Sequence, residues 1–431
     1  MNHHQNDNIL FSYYVIIIPE HSYCKFFGGP MAEIQIPEYV RTVLAGLADK
    51  GFKACIVGGC VRDMFLGVEP NDWDIASDAL PQQVMQIFPR TLPTGIKHGT
   101  VTVMIGKEMV EVTTFRTDGE YADHRHPDSV DFTDDLSADL SRRDFTINAI
   151  AFTSSGDISD PFHGLEDIKS GIIRCVGEAN KRFEEDALRM FRAFRFSSRL
   201  GFEIDRETFN AIASNASLAG NLSAERVRDE IEKIILSSHP EYMYYVITLG
   251  LMDSFFTERR ADKMLLSRIS ELPGEALVRW FALCRCLTSF GCISSADDFL
   301  RELKLDGQTI RCCSAASCIS LENHTDVPQV KRFLRDFGED AVRCAFLYYD
   351  TYNSSNNMKL LSEVLKKSEP WSLDKLALKG SELVSLGLKG QEIGRMQKHL
   401  LNMVIDDPAS NSRDCLISIA SADMERIRNE R

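Results

Sequence analysis

Gly58-Gly59-Cys60-Val61-Arg62 is followed, ten positions after the arginine, by Asp72-Trp73-Asp74. The order sets a phosphate cradle beside a metal-binding carboxylate pair. Glycine permits backbone angles closed to other residues and lets phosphate oxygens come close, and a helix starting there offers unpaired N–H groups to an anion. Arg62 adds a charged fork. Asp72 and Asp74 are two apart, so on a strand both carboxylates leave one face and can share magnesium ions, which want hard oxygen ligands. Glu111 supplies a third carboxylate inside the strand-like run Met109-Val110-Glu111-Val112-Thr113-Thr114-Phe115. Such a set would transfer phosphoryl or nucleotidyl groups. Each piece alone has a plainer explanation: an ordinary turn, a solvated strand edge, a strand glutamate facing water. Their order and spacing together carry the reading.

The elements that must hold these residues follow from local pattern. Ala54-Cys55-Ile56-Val57 is a short apolar run of the kind a buried strand uses, Val61 to Leu66 reads as a helical turn, and the glycines sit at the junction. Residues 38–50 and 81–88 read as helices, short strands fill the rest of 54–115, and 116–141 is an acidic stretch with turn residues. This is an α/β unit with a long loop. From about residue 180 strand signals nearly vanish and helical periodicity runs to the end, as in Leu222 to Ile235. Ser354-Ser355-Asn356-Asn357 and Pro370 mark a further boundary near 355–370, and no internal repeat is visible. The apolar run from Tyr13 to Ile18 is far shorter than the roughly 20 residues that span a bilayer, and it lacks the basic flank of a signal peptide. The regular pattern begins at Met31, so residues 1–30 are expected to be an extension from an upstream start.

At 431 residues, 44% hydrophobic and 26% charged, the chain has room for two to four domains and the balance of an ordinary globular protein. Its twelve cysteines are scattered without paired CxxC spacing, which argues against both a zinc site and a disulfide framework and for reduced thiols in the cytoplasm. The net charge of −14 excludes a generally basic coat for nucleic acid, but not a local basic groove. Residues 118–139 hold eight acidic groups against the single basic Arg125, whereas Lys181, Arg182, Arg189, Arg192, Arg195, Arg199 and Arg206 outnumber the acids around them.

Three further motifs lie between these regions. Arg142-Arg143-Asp144-Phe145-Thr146-Ile147-Asn148-Ala149 is followed by Asp160-Pro161-Phe162-His163-Gly164, and then by Glu185-Asp186-Ala187-Leu188-Arg189 with Arg192 and Arg195 beyond. Asp186 and Arg189 are three apart and would share one helix face, continued by the two later arginines. An isolated instance would be an ordinary intrahelical ion pair. A carboxylate acceptor beside a guanidinium donor also matches cytosine and adenine, each of which shows an exocyclic amine next to a ring-nitrogen acceptor. Uracil and guanine show the opposite pattern. Such a helix would act as a protein template for C and A, with Arg192 and Arg195 toward the triphosphate.

Taken in order, these five motifs resemble the class II CCA-adding tRNA nucleotidyltransferases and their poly(A) polymerase relatives. The resemblance is dense over about residues 33–240 and looser from Leu376 to Gly394. It implies an α/β polymerase-beta-like nucleotidyltransferase head at 31–175, followed by an all-α neck at 176–236, body at 237–365 and tRNA-holding tail at 366–431. It further implies Asp72 and Asp74 as Mg²⁺ ligands with Glu111 as third catalytic carboxylate. Gly59, Arg62, Arg143, Asp186, Arg189, Arg192 and Arg195 would contact the nucleotide, while Arg142 and Asp144 brace the site. The implied activity is addition of CCA to the 3′ end of tRNA from CTP and ATP, with tRNA recognised mainly by shape and backbone. Residues 359–400, with eight Lys/Arg against five Asp/Glu, would suit the tail to that task. Tyr121-Ala122-Asp123-His124-Arg125-His126-Pro127 resembles the flexible loop that full CCA-adding enzymes need for the last A, although many relatives have arginine at the position of His126. No histidine is followed by aspartate, so an HD phosphohydrolase module is not expected. The rival readings are a poly(A) or A-only polymerase on the same motifs, a small-molecule nucleotidyltransferase, and a catalytically idle RNA-binding protein; the long helical tail argues against the second and the Asp72/Asp74 pair against the third.

Overall fold

The computed structural model describes residues 36–119, 130–153, 156–321, 325–367 and 369–429. The expected extension at 1–30 and the loop at 121–127 lie outside them. The chain divides into two compact units between Leu222 and Ser223.

The first unit opens with α1 (Glu38–Ala48), whose buried Val40, Val43, Leu44 and Leu47 recur at helical spacing; it stops two residues short of the expected end. Then come β1 (Ala54–Val57), α2 (Gly59–Phe65), β2 (Asp74–Ser77), α3 (Pro81–Ile87), β3 (Thr91–Gly95), β4 (Thr100–Ile105) and β5 (Glu108–Thr114). The acidic stretch expected as a loop contains β6 (Arg116–Asp118), β7 (Val130–Phe132) and α4 (Leu136–Ser141), the first two paired with each other. β8 (Ala151–Thr153), β9 (Ile158–Ser159), α5 (Gly164–Ser170), β10 (Ile172–Ile173), α6 (Ala179–Glu185), α7 (Leu188–Leu200), β11 (Glu203–Ile204) and α8 (Arg206–Asn215) complete the unit. The two-residue β11 pairs in parallel with β10, a small exception to the expected loss of strands after residue 180.

Seven strands form one sheet in the order β3-β4-β5-β2-β1-β8-β9. β1 is buried along its whole length, as an unbroken apolar run predicts for a central strand. Among the described strands of this sheet only β2 and β5 run parallel, and their register sets Asp74 opposite Glu111. The fold thus makes neighbours of two carboxylates far apart in sequence.

The Asp160-Pro161-Phe162-His163-Gly164 motif has a structural explanation. Asp160 accepts hydrogen bonds from the backbone N–H groups of Gly164 (2.7 Å) and Leu165 (2.9 Å), capping α5. A Cβ on Gly164 would stand 2.2 Å from the Thr146 carbonyl oxygen, so only glycine lets α5 lie against the segment that begins at Arg142. Gly164→Ala is therefore expected to lower stability by about 2–3 kcal/mol, seen as a lower urea midpoint at unchanged m-value.

Among its described residues the second unit is helical. Helices Ala276–Phe290, Gly307–Ser317 and Glu339–Asn353 surround buried Trp280, Phe281 and Phe346. Arg279 is buried there, donating to the backbone carbonyls of Ile235, Ser237 and Leu272 and so closing the open end of helix Ala224–Ile235. The polar break at 354–357 is a tight turn: Asp350 accepts from the N–H groups of Asn357 and Met358, starting helix Asn357–Lys366. Farther on, Leu378, Leu383, Leu400, Val404 and Leu416 form a separate apolar cluster around helix Gln391–Asp406.

Candidate active site

β1 delivers the chain to Gly58, where φ is +82°, and α2 begins one residue later. A Cβ on Gly58 would lie 2.9 Å from the Arg143 guanidinium, whereas one on Gly59 would meet nothing closer than 3.5 Å. Of the two junction glycines, Gly58 is thus the one whose conformation demands glycine. Arg62 is buried in α2 rather than held out as an open fork. It donates to Asp63 Oδ1 through Nε (2.8 Å) and Nη2 (2.6 Å), and to Asn148 Oδ1 through Nη1 (2.6 Å).

Asp74 is the first residue of β2, but Asp72 lies in the preceding bend, ahead of the strand, so strand alternation does not place both carboxylates. Buried Trp73 separates them, and Asp72 is exposed. Burial raises the Asp74 carboxyl to about 6; the charges of Glu111 and Asp72 push the same way and that of Arg143 opposes them. Arg143 reaches this carboxylate from beyond α4. One nitrogen donates to Asp139 Oδ2 (3.3 Å), and its buried Nε has no hydrogen-bond partner.

Asp186 also departs from expectation. It shares no helix face with Arg189, because the chain breaks between α6 and α7 and Asp186 is extended, at φ −147° and ψ 103°. Its carboxylate accepts from the Leu188 N–H (3.1 Å) and so competes with helical continuation. Arg189 lies in the first turn of α7, 8% exposed, donating to Glu185 Oε2 (2.6 Å) and to the carbonyls of Arg182 (3.0 Å) and Arg142 (3.3 Å). The pair still meets at one place, brought together by a cap and a buried ion pair.

Asp144 is buried and accepts from Phe145 N–H (2.8 Å), Asn148 Nδ2 (3.1 Å) and Arg192 Nε (2.8 Å) and Nη2 (2.5 Å). Burial alone would raise its pKa, but the Arg192 charge and these hydrogen bonds outweigh burial and hold it well below the carboxylate range. Arg142 is paired with Asp139 (2.9 Å). A cleft of about 460 Å³ joins these parts. Gly59, Arg62, Asp74, Arg143, Asp186, Arg189, Arg192 and Arg195 all line it; Asp72 and Glu111 do not.

Residues 54–174 match the family model "Poly A polymerase head domain", and residues 201–262 match "Probable RNA and SrmB- binding site of polymerase A". A CCA-adding enzyme of Geobacillus sp. (strain WCH70) is 37% identical over 84% of this chain and 90% of its own. One of Lactobacillus delbrueckii subsp. bulgaricus is 33% identical over 89% and 98%. The chain belongs to the CCA-adding enzymes. Its fold matches the crystal structure of the Bacillus stearothermophilus CCA-adding enzyme in complex with CTP, with a TM-score of 0.78 and 30% identity over 92% of this chain and all of that one. The protein is therefore a nucleotidyltransferase of the class II kind.

A CCA-adding enzyme is expected to use a metal cofactor, and the residues present suit a hard divalent cation. Asp74 and Glu111 are register partners, and the carboxyl of Asp74 is raised chiefly by burial, with the neighbouring charges of Glu111 and Asp72 adding to it, so a cation there would meet hard oxygen donors and offset their repulsion. Among the described residues, no three His, Cys, Asp or Glu side chains converge on one point as they stand. Strand register and donor type supply the fit.

Several cleft residues were not expected from sequence as site residues. Asn148 links Arg62 to Asp144, and Arg199 donates to Asp63 Oδ2 (3.2 Å) across 136 positions of chain. Phe196 stands among the arginines. Asp63 and Asn148 carried a signal as members of the Gly-Gly-x-Val-Arg-Asp and Arg-Arg-Asp-Phe-Thr-x-Asn-Ala strings, and Arg199 as a member of the basic strip.

Proposed function

We propose that this CCA-adding enzyme extends the 3′ end of tRNA with C, C and A, taking CTP and ATP in turn into the cleft between β1–α2 and α7. The observation that carries this is the shared lining: Asp74 and Arg143 face the same cleft as Asp186 and Arg189, so chemistry and base choice occupy one space. The binding of CTP by the Bacillus stearothermophilus relative supports it. Residues 31–175 form the catalytic head, 176–236 a neck, 237–365 a body and 366–431 a tail that binds tRNA.

The Asp186 carboxylate accepts from the exocyclic amine of C or A and Arg189 donates to the adjacent ring nitrogen, while Arg143, Arg192 and Arg195 hold the triphosphate. Gly59 and Arg62 form the floor. The tRNA 3′-hydroxyl attacks the α-phosphate, pyrophosphate leaves, and no covalent enzyme intermediate forms. Asp72 and Asp74, with Glu111 behind them, would hold Mg²⁺, which when bound supplies charge neutralisation at the attacking hydroxyl and the leaving pyrophosphate.

The test supplies one labelled nucleotide at a time to tRNA transcripts ending before CCA, after C, and after CC. C should join the first two and A only the third. Repeated A addition to any RNA would instead make the enzyme a poly(A) polymerase. Asp186→Ala should bring UTP and GTP to within about tenfold of CTP and ATP in kcat/KM; unchanged selectivity would remove Asp186 from base reading.

A further inference from the structure

One aromatic ring in the cleft is surrounded by positive charge. The Phe196 centroid lies 4.2 Å from the guanidinium carbon of Arg195, 5.2 Å from that of Arg62 and 5.4 Å from that of Arg192. Arg62 comes from α2 and the others from α7, so the ring gathers like charges from two elements. Phe196 is 4% exposed and meets Phe145 edge to face (5.7 Å, 80°), which fixes its orientation. Beneath it runs a hydrogen-bonded chain from Arg62 through Asn148 and Asp144 to Arg192.

We infer that Phe196 is a positioning residue that seats Arg192 and Arg195 for the triphosphate. The inference rests on the reading of those arginines given above. Guanidinium groups this close repel one another, and something must offset that repulsion before a polyanion arrives. A further carboxylate would do so but would also occupy the N–H donors and compete with phosphate. An aromatic face attracts the cation through its quadrupole and takes up no donor. Phe196 therefore lowers the cost of assembling the charges without occupying an N–H donor, in addition to the carboxylates of Asp63 and Asp144 that already pair with Arg62 and Arg192. Because it acts on the phosphate end, it should affect CTP and ATP alike and leave the choice between them to Asp186 and Arg189.

The experiment measures inhibition by inorganic tripolyphosphate, together with KM and kcat for CTP and for ATP, well below the melting temperature. Phe196→Leu should weaken tripolyphosphate and raise both KM values roughly tenfold, with C-versus-A selectivity unchanged. Phe196→Tyr, which keeps the ring, should stay within about twofold of the parent. Pentafluorophenylalanine at this position keeps the shape and reverses the quadrupole, so it should reproduce the leucine loss. A lower melting temperature in Phe196→Leu with parental KM values, or parental affinity in the fluorinated protein, overturns the inference. Arg195→Ala separates the two layers. If it too leaves tripolyphosphate binding intact, the triphosphate reading of the arginines falls and the role of Phe196 with it; if only the Phe196 variants are silent, that role alone falls.

Discussion

Asp74→Asn should abolish nucleotide addition and at the same time make the metal-free protein more stable at neutral pH. The first effect follows from removal of the carboxylate that faces the cleft at the head of β2, with an expected loss of at least ~10³-fold in kcat/KM. The second follows from linkage. The folded carboxyl titrates at about 6 against an ordinary 3.8, so between those values the native state binds the extra proton. Stability contributed by this group is complete below pH 4 and is lost as pH rises through 6, a penalty of about 3 kcal/mol at pH 7. The asparagine variant escapes it. Thermal melts in EDTA should show the variant above the parent at pH 7.5 and level with it below pH 4. A variant that melts lower at pH 7.5 would mean that Asp74 is held by attractive contacts instead.

Asp144→Ala should have the largest structural effect among the motif residues, destabilising the first unit by about 3–5 kcal/mol. Alanine leaves the Phe145 N–H, one Asn148 donor and two Arg192 donors without the carboxylate that accepts from them. Here the linkage has the opposite sign. The folded pKa is depressed, so the stabilisation is present above about pH 4 and drains away as the carboxylate protonates in acid. Asp144→Asn, close in shape but uncharged, should flatten the acid limb of the stability curve; an unchanged limb would assign acid unfolding to other groups. Activity should fall in both variants, because Arg192 loses its anchor.

Local signals in the sequence were sound where the cause was local. The run from Ala54 to Val57 became a buried central strand, the glycine junction took a positive φ, and Glu111 fell inside a strand. Periodicity failed where a single side chain redirected the backbone. Nothing in Glu185-Asp186-Ala187 breaks a helical pattern, yet the Asp186 carboxylate takes the Leu188 N–H and interrupts the helix. Asp72 was misplaced for a related reason: Asn71 and Asp72 lie in a bend that follows Pro70, and the strand starts only at Asp74. Least legible were contacts that close over long separations. Arg62 meets Asn148 86 positions away and its guanidinium lies over Phe196 in a different helix, and no local window contains either contact.

The cleft takes its lining from Gly58 at one end of the chain segment to Arg199 at the other. A ribosome making roughly 5–20 residues per second needs about 7–30 s to cover that interval. Until α7 is made, the nascent chain carries the glycine turn and Asp74 without Arg189, Arg192, Arg195 and Arg199, which complete the pocket. Nucleotide-binding capacity should therefore switch on late and abruptly during synthesis, and arrested chains released before α7 should hold no CTP.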